Sequence, residues 1–244
     1  MMSRWRAAFA LLRPRELALA IRRCPFCGPS IIVRLRNDEI GVRCIRCGAS
    51  AVHLSIGWAL LAMKIDLESL DVCELSARGP FVKFLLRKCR TVATSEYFPD
   101  AAPGELRDGV RCEDAQRLSY ADASFDLVTH TEVFEHVPDD AKAFAELRRV
   151  LRAGGAMVFT APMLPGLATI ERARLIDGHI EHIQPPTYHR DPSRQGADIL
   201  VFRQYGQNIV ERIIAAGFDN ARLLPVPNAV PWNMGRSVVI AFLA

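Results

Sequence analysis

Apolar positions along this chain keep a regular rhythm from about residue 69 onward, where short continuous apolar or β-branched runs alternate with stretches of helical period. The runs at 69–75, 91–97, 110–112, 125–131, 156–161, 218–224 and 236–243 predict seven strands. Residues 79–89, 138–151 and 207–216 predict helices. In the helix at 138–151, Asp139 and Asp140 stand in the first turn and Arg148, Arg149 and Arg152 near the end, as the helix dipole favours. Gly154-Gly155 is expected to stop that helix and Gly217 the later one. Strands separated by helices predict an α/β domain, a Rossmann-like, seven-stranded, mostly parallel sheet with helices on both faces. Such a sheet binds ligands beyond the carboxyl ends of its strands.

Upstream the rhythm is different. Cys24-Pro-Phe-Cys27-Gly and Cys44-Ile-Arg-Cys47-Gly form two matched pairs with sixteen residues between Cys27 and Cys44. This is the spacing of a four-cysteine zinc ribbon, each pair of thiolates gripping one side of a tetrahedral ion. The runs at 31–36 and 39–43, around Asn37-Asp38, predict a hairpin between the knuckles. With four cysteine ligands no position stays open for a reacting water, so the expected zinc is structural; iron fits the same four-thiolate geometry. The module spans residues 1–55, with an amphipathic helix expected in its first twenty residues. A short apolar helix at 55–64 leads through a linker (56–68) into the domain at 69–244.

Length and charge sharpen this division. The chain has 244 residues, half of them hydrophobic, enough for one large domain with an appendage. Its longest apolar runs fall far short of the ~18 residues of a membrane span. Seven cysteines, four of them paired as above, point to metal binding in a reducing compartment, and a cytoplasmic location is expected. Residues 1–50 hold ten Lys/Arg against three Asp/Glu, so the overall net charge of +4 resides in the appendage. That balance fits an ordinary solvated surface and also contact with an anionic partner such as RNA.

Three ordered phrases in the larger domain resemble the class I S-adenosylmethionine-dependent methyltransferases, in the broad group of small methyltransferase domains. They are Glu113-Asp114-Ala115-Gln116-Arg117-Leu118 running on to Ser124-Phe125-Asp126, then Thr131-Glu132-Val133-Phe134-Glu135-His136-Val137, then Arg149-Val150-Leu151-Arg152-Ala153-Gly154-Gly155. The resemblance covers about residues 70–244 and implies S-adenosylmethionine as cofactor. It assigns Glu96 to the ribose hydroxyls, Asp114 with Ala115 to the adenine amino group, and Tyr97 to the ring's flank. It places the methionine end against Glu74, Ser76, Arg78 and Gly79, Arg78 pairing with the cofactor carboxylate. This loop departs from the family pattern in carrying a single glycine.

Methyl transfer needs a positioned acceptor and, for a hydroxyl or acid, a base. Glu132 and His136, just after the strand at 125–131, are the first candidates. The stretch between Pro162 and Gln204 is too long for a plain connection and holds His179, His182 and His189, as acceptor pockets and lids often do. The spacing of these histidines matches no metal-ligand pattern, so His182 and His189 are read as facing the acceptor. The expected acceptor is a small molecule or a glycan-like one. RNA is the alternative, against which the ribbon offers only Phe26 for stacking on bases. A degenerate domain that binds a partner without catalysing is the third reading.

Overall fold

The computed structural model describes residues 12–166, 168–190, 198–227, 231–233 and 235–244. The chain divides into two compact units. One joins residues 1–69, 78–90 and 224–238; the other joins 70–77, 91–223 and 239–244.

The first unit begins with an antiparallel sheet of β1 (Ala18–Cys24), β2 (Gly28–Arg34) and β3 (Val42–Cys44). The helix expected over the first twenty residues falls largely outside the described residues, but its last three positions are strand. Residues 18–24 pair with 28–34 down to Cys24↔Gly28, because the Cys24–Cys27 knuckle turns the chain straight back on itself. Gly28, at φ +79°, takes the left-handed turn conformation that a residue with a Cβ rarely adopts. The hairpin expected around Asn37-Asp38 forms, with β2 paired to β3 (Arg34↔Val42) and a single 3-10 turn at Glu39–Gly41 between them. Helix α1 (Ala51–Met63) follows. Its first turn is closed by Ser50 and His53, whose Nδ1 accepts from the Ser50 N–H at 3.2 Å.

The second unit is built on an eight-stranded sheet. Its members are β4 (Asp71–Glu74), β5 (Thr91–Glu96), β6 (Leu106–Arg107), β7 (Val110–Cys112), β8 (Phe125–Thr131), β9 (Leu151–Thr160), β16 (Asn220–Pro225) and β17 (Ser237–Phe242). They lie in the order β16-β17-β9-β8-β4-β5-β7-β6. β7, β5, β4, β8 and β9 are mutually parallel, while β17 pairs antiparallel to β9. The strand beyond the expected seven is β6, a two-residue edge piece antiparallel to β7. From β4 the chain steps outward through β5 and β7, then returns to lay β8 on the opposite side, so β4 and β8 flank a topological switch point.

Helix α2 (Pro80–Lys88) belongs to the first unit. Helix α3 (Asp140–Val150) is capped by Asp139, whose carboxylate accepts from the Lys142 N–H at 3.0 Å. Gly154-Gly155 does not separate this helix from a later strand. The chain passes directly from Val150 into β9 and pairs at Phe125↔Leu151, slips register, and resumes at Leu127↔Ala156, with Gly154 at φ +77°. Phe134, Phe144, Phe159 and Leu147 fill the core beneath α3, together with Ile209 and Ile213 of helix α4 (Ile209–Ala215).

Among the described residues, the long connection between β9 and α4 holds three two-stranded ribbons. β10 (Ile170–Glu171) pairs with β15 (Arg203–Gln204), β11 (Ala173–Ile176) with β12 (His179–His182), and β13 (Tyr188–Arg190) with β14 (Asp198–Leu200). Among the described residues no helix is long and apolar enough to cross a membrane.

Candidate functional site

The parallel strands end in a row of carboxylates. Glu74 is the last residue of β4, Glu96 the last of β5, Asp114 lies two residues past β7, and Glu132 one past β8. The register Glu74↔Thr94 and Glu74↔Thr129 brings β4, β5 and β8 to a common edge, where a ligand of such a sheet sits.

Glu74 is fully buried at the switch point. It accepts hydrogen bonds from the Ser76 and Thr129 hydroxyls, the second reaching across from β8. Burial pushes its carboxyl up to about 8, the two hydroxyl bonds opposing that shift. Glu96 accepts from the Ala77 N–H at 3.1 Å, which ties the end of β5 to the loop after β4. Gly79 caps α2 at φ +114° ahead of Pro80 at the first helical position, so the one glycine of this loop stands where positive φ is needed. Arg78 is exposed.

At the end of β7 two neighbouring acids separate by role. Glu113 is buried and held by Arg111 Nε at 2.7 Å and by the Ser119 N–H at 2.8 Å. Asp114 is half-buried, and its Oδ1 accepts from the Gln116 N–H at 2.9 Å, closing the turn that presents it. Ala115 is buried beside it and Tyr97 is exposed. Glu132 sits at φ +53°, a conformation uncommon for a residue with a side chain, and its N–H donates to the Thr160 carbonyl at 2.9 Å.

Of the histidines singled out in the sequence, the structure unites two and leaves one apart. His136 and His189 meet edge to face with ring centroids 5.0 Å apart. His182 is exposed on β12 and paired with Ala173. The side chain that joins the first two is Glu135, which sequence reasoning passed over. It is 1% exposed, neither of its oxygens has a hydrogen-bond partner among the described residues, and burial pushes its carboxyl above the ordinary range. The signal was present as the adjacent Glu135-His136 pair, but its partner His189 lies far along the chain and arrives only through the β13–β14 pairing.

The four cysteines of the first unit converge. Their sulfurs all lie within 4.8 Å of one another, with Cys24 to Cys47 and Cys27 to Cys44 both at 3.6 Å. Four sulfurs about 2.3 Å from one tetrahedral ion stand ~3.8 Å apart, so the cluster fits such an ion closely. Cys47 beside it pulls the Cys24 thiol down from its ordinary range, while burial pushes Cys27 up. Four cysteine sulfurs at this spacing could hold a metal ion. Phe26 is buried against Phe81 and Phe84 of α2, at centroid distances of 5.8 and 4.9 Å, and so is not available to stack on a base. Of the remaining cysteines, Cys73 and Cys112 are buried and Cys89 half-buried.

Two family models, each described as a methyltransferase domain, match residues 47–159 and 109–214. Among curated proteins, the chain is 33% identical over 91 residues to a sarcosine/dimethylglycine N-methyltransferase of Halorhodospira halochloris. That match covers 36% of this chain and 33% of the relative. It is 46% identical over 48 residues to a dimethylglycine N-methyltransferase of Parasynechococcus marenigrum (strain WH8102), covering 20% of this chain and 17% of that protein. The chain thus spans a third or less of these relatives' lengths. In structure it is similar to an S-adenosylmethionine-dependent methyltransferase from Mesorhizobium loti, with TM-score 0.51 and 18% identity, over 77% of this chain and 97% of that one.

Proposed function

Because this chain belongs to the class I S-adenosylmethionine-dependent methyltransferases, we propose that it transfers the cofactor's methyl group to a small-molecule acceptor. The observation that carries this reading is the row of acids at the carboxyl edge of β4, β5, β7 and β8, centred on the switch point. When bound, S-adenosylmethionine supplies an electrophilic methyl on a sulfonium. Residues at that edge would hold the cofactor and turn the acceptor toward that methyl.

The chain's own residues bind and orient. Glu96 would accept from the ribose hydroxyls, and Asp114 from the adenine amino group, with Ala115 and Tyr97 flanking the ring. Glu74 and Ser76 face the methionine end. There, a cationic ammonium would favour the charged form of Glu74 that burial alone disfavours. Glu132, one residue past β8, would receive an acceptor proton, with His136 beside it orienting the acceptor. The glycine-derived acceptors named for the curated relatives support a small acceptor. RNA finds no support, since the one aromatic side chain between the ribbon's cysteines is packed inside. The four cysteines hold a structural ion, and their thiolate-only set and tetrahedral spacing favour zinc.

Calorimetric titration of the zinc-loaded protein with S-adenosylmethionine and S-adenosylhomocysteine tests the assignment. Saturable binding is expected, weakened at least ~10-fold in Glu96→Ala and in Asp114→Ala, as loss of a hydrogen bond to a charged group implies. No binding at millimolar ligand would sink the reading and leave partner binding as the function. Binding without turnover on a panel of amine and hydroxyl acceptors would mark a degenerate enzyme.

A further inference from the structure

We propose that Glu135, His136 and His189 form a binding site for a divalent first-row transition-metal ion at the carboxyl edge of β8. The nitrogen and oxygen atoms these residues offer lie within 4.8 Å of one another. Glu135 Oε1 stands 3.7 Å from His136 Nε2 and 3.7 Å from His189 Nδ1. These distances are too long for hydrogen bonds. Two ligands ~2.1 Å from one ion at the tetrahedral angle stand ~3.4 Å apart, so shifts of a few tenths of an ångström complete the site.

The independent observation is Glu135 itself. Its side chain is 1% exposed, and neither oxygen has a hydrogen-bond partner among the described residues. A buried carboxylate in that state is costly unless a cation meets it. Two imidazoles face the same oxygen, each at 3.7 Å, a spacing that an ion between them would bridge. Such a donor set favours zinc, iron, cobalt, nickel or manganese over magnesium or calcium, which prefer oxygen ligands.

The supporting bonds are also in place. His136 Nδ1–H donates to the Leu200 carbonyl at 2.8 Å, which turns Nε2 toward Glu135, as an outer hydrogen bond does for a ligating histidine. The Phe202 N–H donates to the Glu135 carbonyl at 2.7 Å, and the pairing His189↔Ile199 fixes His189 in the same frame. This site is separate from the four cysteines in donor type and in unit. With three protein ligands, the ion keeps positions open for water or for an acceptor oxygen, whose proton it would make easier to remove. That last role presupposes methyl transfer, whereas metal binding does not.

The test titrates the full chain, with zinc already in the cysteine cluster, with Co²⁺ and follows visible absorption. One further Co²⁺ per chain is expected, with weak nitrogen/oxygen bands and no thiolate charge-transfer band. Glu135→Gln and His189→Ala should weaken it by more than the ~10–100-fold that an outer partner costs. His179→Ala, exposed on β12, should leave it unchanged. His189 is 43% exposed, so its variant reads the outcome even where Glu135→Gln folds poorly. No Co²⁺ beyond the cysteine cluster, or binding indifferent to His189→Ala, would overturn the proposal. Cofactor binding is measured separately, so its failure would not be mistaken for failure of the metal site.

Discussion

In β1 of the first unit, Leu19 and Ile21 are 66% and 79% exposed. In β9 of the second unit, by contrast, residues 155–160 are buried without a break. Although Ile32 of β2 and Val42 of β3 are buried, β1 therefore has little apolar burial to hold it. Four converging sulfurs stand in its place, and structural zinc contributes on the order of 10 kcal/mol to comparable small folds. The sheet unit rests on ordinary close packing, with Phe134, Phe144, Phe159 and Leu147 all fully buried. One part of the chain thus gathers four sulfurs where another gathers many small apolar contacts. The two parts should respond to different insults.

The largest effect is expected from removing the ion. Cys44→Ser, or a strong chelator, should cost the first unit up to ~10 kcal/mol. Trp58 and Trp232 both lie in that unit, and the second unit's segments contain no tryptophan, so their fluorescence reports the first unit. A fluorescence melt indifferent to chelator would show that the ribbon stands without metal. Next comes Phe144→Ala, which empties the centre of the second unit and should cost ~3–5 kcal/mol by calorimetry while leaving zinc content unchanged. Phe26→Ala removes the ring packed on Phe81 and Phe84, and should destabilise the first unit by ~3 kcal/mol in the same fluorescence melt. An effect near zero would mean that the ion alone sustains that unit.

A pH-dependent effect concerns Glu74, whose carboxyl burial pushes up to about 8 from an ordinary value of 4.5. Between those values the folded state binds the proton more tightly than the unfolded state. This stabilisation is complete below about pH 4.5 and is lost as pH rises through about 8. Glu74→Gln should flatten that slope, read as the difference between urea midpoints at pH 5 and pH 8. An unchanged slope would place the titration elsewhere.

The sequence showed most where burial is continuous. Val110–Cys112 and Phe125–Thr131 were legible to the residue because strands buried in a parallel sheet read as unbroken β-prone runs. The cysteine cluster was legible because its ligands come in local pairs. β1 was not, since its apolar residues face outward and its pairing is imposed by the Cys24–Cys27 turn. Nor were the ribbons between β9 and α4. Pairs such as Ile170↔Gln204 join distant residues that carry no local pattern. The same distance hid the Glu135–His189 meeting, whereas Glu74, Glu96 and Asp114 could be placed because each follows a readable strand.

The last stretch of the long connection is joined to the body of its unit. Arg203, 3% exposed, donates to the carbonyls of Phe134, Val137 and Pro138, and the Phe202 N–H donates to Glu135. Residues 198–205 therefore act as masonry of the second unit although they arrive at the end of an insertion. Anyone building chimeras to exchange acceptor preference should set the downstream seam before Asp198. A cut after Gln204 would strip three backbone carbonyls of their donor and loosen the wall on which any new loop would have to stand.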